Sequence, residues 1–343
     1  MRWNTAASRD GPARVLLFVE RRVLMERRNV IRALGGGATA VLMGDLGRAE
    51  AQSGPGRNSS AVYRKPTLAF SSYGMRMLPV RDAIREIANA GFKAMEITVM
   101  PTWPTEPKLL SRTDRVEIRK EIGDRGMILT SIQESLQLAD PNTLGNPNYT
   151  KPEKLEHLRV AAELAHELSP GAPALIETAL GGRTATWEEM KAGMADELAS
   201  WAKTLEPLKT VLAIKAFVGS VIDRPERVLW LLEKVRSPWI RCGYDYSHLK
   251  LLGLGLRDTI LQVARYMVFV HVKDSVGSAE NYHFLLPGDS GEINYGQYAQ
   301  VLKDVGYRGP VVVEVSVQVS GQAGYNPVAA ARHSFQNLSP YFG

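Results

Sequence analysis

The sequence predicts a single-domain (β/α)8 TIM barrel of the α/β class, and three observations support that fold. Eight strand-like runs alternate with helix-like runs in the segment that begins at residue 66. Several of the strand-like runs are almost continuously apolar, as is typical of parallel strands that are buried on both faces. No G-x-G-x-x-G motif follows the first strand, so an open dinucleotide-binding sheet explains the pattern less well.

The strands are predicted from short apolar runs, and the helices from apolar residues spaced three and four positions apart. The predicted strands are residues 67–72, 93–98, 127–132, 173–178, 210–216, 239–245, 267–272 and 310–315. The predicted helices are residues 80–91, 112–125, 152–168, 187–205, 225–235, 257–265, 295–305 and 327–337. Thr186 and Glu189 have the spacing of a capping box, and Asp223 is predicted to cap the helix that begins near Pro225.

The first 51 residues are predicted to be an export leader of the twin-arginine kind. The pair Arg27-Arg28 precedes a moderately apolar stretch at 30–44, and a small-x-small cleavage pattern ends at Ala51. Because 26 residues precede the arginine pair, Met25 is an alternative start of the chain. A disordered basic arm is the alternative interpretation of the whole segment.

The leader defines the expected domain organisation and location. We expect residues 52–65 to form a flexible linker, because their first half is rich in Gly and Ser, and residues 66–343 to form the catalytic barrel. The mature protein is then expected in the periplasm or another extracytoplasmic space. No apolar run approaches the ~20 residues that span a bilayer, so we expect no stable membrane insertion after the leader is removed.

The charge distribution argues against a nucleic-acid partner. The net charge is +6, but residues 1–60 contain ten arginines and five acidic residues, which leaves the remainder close to neutral. A near-neutral barrel lacks the basic surface that binding to a phosphate backbone requires. The single cysteine, Cys242, excludes an intrachain disulfide and is predicted to be a buried thiol on a strand.

Ionisable residues interrupt the apolar runs near the carboxyl ends of the predicted strands, where TIM barrels place their functional groups. They are Glu96, Glu134, Glu177, Lys215, Asp245, His248, His271, Lys273, Asp274 and Glu314. Alternation along the seventh strand puts Phe269 and His271 on one face and Val270 on the face toward the helices. The same parity pairs Val312 with Glu314 and Ala213 with Lys215.

So many ionisable groups at one barrel mouth must compensate one another or bind something, because an unpaired buried charge costs several kcal/mol. Carboxylates with imidazole are suitable ligands for Mn²⁺, Mg²⁺, Co²⁺ or Zn²⁺, so a divalent metal is one prediction. The alternative is a salt-bridge network among Lys215, Lys273, Asp245 and Glu314 that only holds the mouth together.

Four segments carry a family likeness. Residues 243–248 (GYDYSH) place an Asp three residues before a His, and residues 269–274 (FVHVKD) contain a His-x-Lys-Asp pattern. Residues 286–295 contain LPGD and GEINY, and residues 307–314 (YRGPVVVE) end a strand on a glutamate. In this order the segments resemble the sixth, seventh and eighth strands of the xylose-isomerase-like sugar phosphate isomerases and epimerases, over about residues 66–340.

The resemblance implies a divalent metal bound by Asp245, His271 and Glu314, in an isomerase, epimerase or related lyase that acts on a sugar or polyol carbonyl compound. The metal would polarise the substrate oxygens and stabilise an enediolate-type intermediate. Glu314 would be both ligand and general base, and His248 would contact a substrate hydroxyl.

One residue departs from the pattern that the resemblance implies. The fifth strand should carry a glutamate ligand, but Lys215 is there, and a protonated lysine cannot bind a cation. The metal could keep three protein ligands and water, or recruit Glu177 from the fourth strand. Lys215 could instead act as an acid–base partner of Glu314, or the metal could be lost and Lys215 could work as a nucleophilic amine.

Further substrate contacts are predicted at Trp103, Glu134 and Lys273. Trp103 is equally explained as a loop anchor, and Glu134 could instead pair with Lys215. His283 could reach the substrate, but a solvated surface histidine is the favoured interpretation. The expected partner is a small-molecule sugar, and a homo-oligomer is possible. Two alternatives to a metal-assisted isomerase stay open. One is a Schiff-base, aldolase-type enzyme that uses Lys215, and the other is a non-catalytic carbohydrate-binding barrel.

Overall fold

A computed structural model describes residues 63–136, 150–181 and 186–343 of the chain. The predicted leader at 1–51 and all but the last three residues of the predicted linker at 52–65 lie outside these residues, so both assignments stay predictions. Within the described part, Tyr63 is buried with 6% of its surface exposed. None of the helices in that part is long and apolar enough to cross a membrane.

The predicted fold is confirmed: eight parallel strands form a closed barrel in the order β1-β2-β3-β4-β5-β6-β7-β10. The strands of the barrel are β1 Thr67–Ser71, β2 Ala94–Thr98, β3 Ile128–Gln133, β4 Leu175–Ala179, β5 Leu212–Lys215, β6 Ile240–Asp245, β7 Met267–Val272 and β10 Pro310–Val313. Each lies within two residues of the prediction at either end. The nearly continuous apolar character of these runs follows from burial on both faces of the sheet.

The helices lie between the strands and cover the outside of the barrel. They are α1 Val80–Ala90, α2 Arg112–Asp124, α3 Lys151–Leu168, α4 Trp187–Leu208, α5 Pro225–Val235, α6 Tyr246–Lys250, α7 Leu256–Val263, α8 Tyr295–Asp304, α9 Val317–Ser320 and α10 Pro327–Phe342. Helices α4 and α10 run past their predicted ends, and each extension passes through a proline, Pro207 and Pro340. The capping box of Thr186 and Glu189 is confirmed.

The predicted cap of α5 is wrong. The residue at the cap position is Arg224, and it makes no side-chain capping bond. Asp223 instead accepts hydrogen bonds from the guanidinium groups of Arg224 at 2.9 Å and Arg227 at 3.0 Å. Arg224 and Arg227, one and four residues after Asp223, thus engage this carboxylate in place of the backbone nitrogens of the helix.

The barrel interior contains a small layer of side chains directly beneath the mouth. Its buried members are Ala69, Ala94, Leu175, Ala213, Phe269 and Val312. The neighbours of these residues in strand sequence, such as Val270 and Val313, pack in the larger core between sheet and helices. His271, Lys215 and Glu314 each lie two residues after one of these interior side chains. Strand alternation therefore directs them into the barrel, as predicted.

The sequence did not predict a hairpin that lies between the seventh and eighth barrel strands. Strands β8 Asp274–Ser278 and β9 Asn281–Leu285 pair antiparallel and form a separate two-stranded sheet. Its polar and exposed residues lack the apolar alternation that identifies a core strand. The predicted solvent exposure of His283, on β9, is confirmed. Cys242 is a buried thiol on β6, also as predicted.

Gly91 ends α1 in a conformation that favours glycine, and it provides a test of the packing between α1 and α10. Its φ is +112°, and a Cβ there would lie 2.6 Å from ring carbons of Phe335. We expect Gly91→Ala to lower the free energy of unfolding by about 2–4 kcal/mol, from backbone strain and overpacking together. Urea-induced unfolding followed by circular dichroism would measure it.

The matched control is Gly126→Ala, because Gly126 also has a positive φ (+61°) but no atom within 4 Å of a built Cβ. Only the backbone strain, about 1–2 kcal/mol, should appear there. Equal losses in the two variants would contradict a steric role for Phe335.

Candidate functional site

Lys215 is the centre of a buried ionic cluster at the carboxyl end of the barrel. Its Nζ lies 2.7 Å from His271 Nδ1, 3.3 Å from Glu314 Oε2 and 3.4 Å from Glu177 Oε1. Asp245 Oδ2 is 4.0 Å away. Because β4, β5, β6, β7 and β10 end at the same rim, side chains distant in sequence converge on one amine.

His271 connects this amine to a further carboxylate. Its Nε2 lies 3.1 Å from Glu96 Oε1, and its Nδ1 faces Lys215 Nζ. An ammonium has no lone pair, so Lys215 donates and Nδ1 accepts, which assigns the ring proton to Nε2, where it is donated to Glu96. Glu96 also accepts a hydrogen bond of 2.7 Å from Ser131 Oγ and is fully buried.

A second lysine joins Asp245 and Glu314. Lys273 Nζ donates to Asp245 Oδ2 and, at 2.6 Å, to Glu314 Oε2. Ser247 donates to the other oxygen of Asp245 from both its backbone nitrogen and its hydroxyl. Lys273 was predicted to contact substrate, and here it is engaged by two carboxylates with 2% of its side chain exposed. The alternative salt-bridge network of the sequence analysis therefore exists in the structure.

A glutamine at the end of β3 holds the remaining oxygen of Glu314. Gln133 Nε2 donates to Glu314 Oε1 at 2.8 Å, and Thr98 Oγ1 donates to Gln133 Oε1 at 2.8 Å. Sequence reasoning missed Gln133, Thr98 and the role of Glu96, because it searched for charged residues that could ligate a metal. The position of Gln133, the last residue of a barrel strand, is the signal that could have identified it.

The two glutamates that flank Lys215 have opposite pKa shifts. Burial raises the pKa of Glu177 to about 7, although Lys215 opposes the shift. Burial also acts on Glu314, but the ammonium groups of Lys215 and Lys273 outweigh it and hold the pKa of Glu314 well below its usual range. At neutral pH, Glu314 is therefore a carboxylate while Glu177 exchanges a proton readily.

The charge states of the other members follow from the same contacts. Burial opposes the charge on Asp245, but Lys273 and other neighbours outweigh it and lower the pKa of Asp245 to about 2. Burial also opposes the charge on Lys215, yet Glu177, Glu314 and Asp245 raise its pKa above the ordinary value, so it stays an ammonium.

His248 lies beside Asp245, at an Nε2–Oδ2 distance of 3.5 Å, in an aromatic setting. Burial, reinforced by Lys273, lowers the pKa of His248 to about 3, so its ring is neutral. Its Nδ1 accepts a hydrogen bond of 3.3 Å from the backbone nitrogen of Val218, which leaves the proton on Nε2. The ring packs edge-on against Phe284 at 4.8 Å. A neutral N–H donor in this place suits the predicted contact with a hydroxyl group.

Two groups of potential metal ligands converge in the cluster, Asp245–His271–Glu314 and Glu96–Glu177–His271, each with its ligand atoms within 4.8 Å of one another. The first is the ligand set predicted from sequence. Lys215 Nζ, however, contacts all three members of the first group and both Glu177 and His271 of the second. A divalent cation needs ligands at about 2.0–2.6 Å from its centre, so it would have to lie between these ligand atoms. The ammonium of Lys215 occupies that position. The residues as arranged do not fit a divalent metal.

Trp103 does not present a free face to the mouth. Its ring stacks on Tyr73 at 5.3 Å between centroids, lies under the guanidinium of Arg76 at 4.3 Å, and is 8% exposed. This geometry favours a loop anchor over a direct sugar contact. Tyr73, which follows β1, is the residue that covers this ring, and it is close enough to Glu314 to be affected by its charge. Burial and that carboxylate raise the pKa of Tyr73 to about 12.

Two predicted residues lie apart from the cluster. Glu134 has one oxygen 3.7 Å from His157 Nδ1 and accepts from Ser135 N with the other, so it does not pair with Lys215. Asp274 is structural, because it accepts hydrogen bonds from Ser290 and from the Tyr295 hydroxyl and thereby fixes the loop before α8.

Comparisons with known proteins agree with this architecture. Residues 84–341 match the family described as “Xylose isomerase-like TIM barrel”. A human protein named “Putative hydroxypyruvate isomerase” is 26% identical over 252 residues, which cover 69% of this chain and 83% of that protein.

Solved structures share the fold. The D-psicose 3-epimerase of Clostridium cellulolyticum H10, solved with D-tagatose, superposes with a TM-score of 0.64 at 16% identity, over 80% of this chain and 99% of that one. The 3-keto-D-glucoside 4-epimerase of E. coli superposes with a TM-score of 0.62 at 15% identity, over 80% of this chain and 100% of that one.

The cluster makes a prediction about stability. Lys273→Met would leave Asp245 and Glu314 buried with one counter-charge fewer, so we expect a loss of about 3–5 kcal/mol in the free energy of unfolding. Lys120→Met is the control, because Lys120 pairs on the surface with Asp124, their side chains being 72% and 57% exposed, and should cost far less. Chemical denaturation would measure the free energy of unfolding of both variants. Similar losses would show that the buried ion pairs stabilise the protein no more than the surface pair does.

Proposed function

Because this chain belongs to the xylose isomerase-like TIM barrel family, we propose that it is an isomerase or epimerase that acts on a small polyhydroxylated carbonyl compound through an enediolate-type intermediate. The observation that carries the proposal is the pair of glutamates with opposite pKa shifts on two sides of Lys215. At neutral pH Glu314 is ionised, while Glu177, with a pKa of about 7, is protonated in part, which suits an acid–base pair.

In the proposed reaction Glu314 is the general base. Its side chain is 12% exposed, more than those of its partners Lys215 and Lys273, so a substrate entering the mouth reaches it. Its carboxylate removes the proton from the carbon next to the carbonyl, and the C–H electrons become the C=C bond while the carbonyl electrons move to oxygen. Gln133 and Lys273 fix the orientation of this carboxylate.

The electric field of the buried Lys215 and Lys273 ammonium groups stabilises the developing negative oxygen, and His248, whose side chain is 10% exposed, donates to a neighbouring hydroxyl. Glu177 gives a proton to carbon, and the electrons on oxygen re-form a carbonyl. In an epimerisation the proton returns to the same carbon. In an isomerisation it goes to the former carbonyl carbon, and the neighbouring hydroxyl passes its proton to the former carbonyl oxygen. Lys215 Nζ lies 3.4 Å from Glu177 and 3.3 Å from Glu314, so it can give a proton to Glu177 as it takes one from Glu314, which keeps it an ammonium and restores the starting state. Glu177 thus replaces the acid–base partner that the fifth strand lacks.

The metal-assisted form of this reaction, with Asp245, His271, Glu314 and Glu177 as ligands of Mn²⁺, Mg²⁺, Co²⁺ or Zn²⁺, would require Lys215 to leave the cluster. We therefore assign no step to a metal. The relatives are consistent with a sugar-like substrate, since their names include a hydroxypyruvate isomerase and two sugar epimerases. If the predicted leader is functional, the enzyme works outside the cytoplasm.

Schiff-base chemistry at Lys215 is less well supported, because a nucleophilic amine must lose its proton and three carboxylates raise the pKa of this one. Borohydride reduction in the presence of a carbonyl substrate would trap such an adduct on Lys215. A non-catalytic carbohydrate-binding barrel predicts affinity for the same compounds without turnover.

The proposal is tested by hydrogen exchange at carbon. The protein, incubated in D₂O with a panel of ketoses and α-hydroxy carbonyl compounds, should incorporate deuterium next to the carbonyl of its substrate, as seen by proton NMR. Glu314→Gln should slow this exchange about 10²–10⁴-fold. Glu280→Gln, at an exposed position on the hairpin, is the matched control and should retain the rate. If none of the compounds incorporated deuterium, the result would contradict the proposal.

The pH dependence tests the role of Glu177. Its raised pKa, about 7, means that the proton-donating form predominates below neutral pH and is lost above it, while Glu314 stays ionised throughout. We expect kcat to fall as the pH rises through about 7, and Glu177→Gln to remove this alkaline limb together with about 10²–10⁴-fold of the rate. A variant that kept the same limb would assign the ionisation to another group.

A further inference from the structure

Lys215 occupies the place of a cation within the cluster. Asp245, His271 and Glu314, the first ligand group, lie at the carboxyl ends of β6, β7 and β10. Each has an atom within 4.0 Å of Lys215 Nζ. The side chain is 3% exposed, so the ammonium is enclosed by these groups and not merely near them. Among the described residues, the ammonium of Lys273 is the other positive group that contacts Asp245 and Glu314.

We infer that the ammonium groups of Lys215 and Lys273 together replace a divalent metal ion in this barrel. Two ammonium groups carry the formal charge of one divalent cation. Both lie within 4.0 Å of both Asp245 and Glu314, the two carboxylates of the first ligand group. The protein would thus hold its carboxylates in place, and present positive charge to a substrate oxygen, with side chains alone.

The hydrogen bonds of His271 add an independent argument. A histidine binds a metal through a ring nitrogen that carries no proton. Nε2 faces the carboxylate of Glu96, which requires a donor, and the lone pair of Nδ1 accepts from Lys215. Both ring nitrogens are therefore committed, and a metal would have to displace either Lys215 or Glu96.

The carboxylates around the Lys215 amine hold it in the cluster. Three carboxylates, those of Glu177, Asp245 and Glu314, lie within 4.0 Å of its Nζ. Moving a charged amine out of this cluster would leave buried carboxylates unpaired, at a cost of several kcal/mol. A free metal would have to compensate that loss before it gained any net affinity.

Metal binding, measured without substrate, tests this inference independently of the proposed function. The full chain is stripped with chelator, equilibrated with MnCl₂ or CoCl₂, desalted and assayed for bound metal by mass spectrometry. Wild type should retain no stoichiometric metal. Lys215→Glu removes the ammonium and adds a fourth ligand, so it should retain about one ion per chain and unfold at a higher temperature when Mn²⁺ is present.

Two further variants keep the outcome interpretable. Lys215→Met removes the ammonium without adding a ligand, so it should bind metal more weakly than Lys215→Glu, and it serves if the glutamate variant fails to fold. Lys120→Glu is the control for an added carboxylate, because Lys120 is a surface residue with its side chain 72% exposed, and it should bind no more metal than wild type. Wild-type protein that retained one ion per chain, and lost it in Asp245→Asn, would overturn the inference.

Discussion

Burial of several carboxylates at one barrel mouth is the constraint on which the remaining structure of the site depends. Glu96, Glu177 and Asp245 are each at most 2% exposed, and an uncompensated charge at such a position is unfavourable by several kcal/mol. Compensation comes from lysines at the ends of two strands and from a histidine between them. Each carboxylate is therefore held in a defined orientation by the same contacts that keep it charged.

The same constraint separates the chemistry of groups that have identical side chains. Glu314 is held by Gln133, Lys215 and Lys273, and these contacts favour its ionised form. Glu177 has a single ammonium within reach and an oxygen, Oε1, that receives no hydrogen bond, so burial dominates its behaviour. Position within one cluster, more than residue type, thus decides which glutamate gives a proton and which takes one.

Much of this arrangement could be predicted from the sequence, because it follows from strand parity and from the shared rim of a parallel barrel. All eight strands and the convergence of Asp245, His271 and Glu314 are of this kind. The location of the Lys215 amine could not be predicted, since it depends on side-chain contacts among five strands. Gln133 and Tyr73 carry no charge, so a search for ionisable residues passes over them, and the hairpin β8–β9 lacks an apolar period. Trp103 was ambiguous, because stacking on a sugar and stacking on Tyr73 require the same residue type.

The hairpin has a consequence for how the mouth can diversify. Within the described residues its two strands pair only with each other, so its turn between Ser278 and Asn281 can lengthen or shorten without shifting the register of any barrel strand. Its base is anchored, because Phe284 packs on His248 and its backbone nitrogen donates to Gln318. Insertions at this turn can therefore change the hairpin beside the mouth, while the ionic groups at the strand ends keep their spacing.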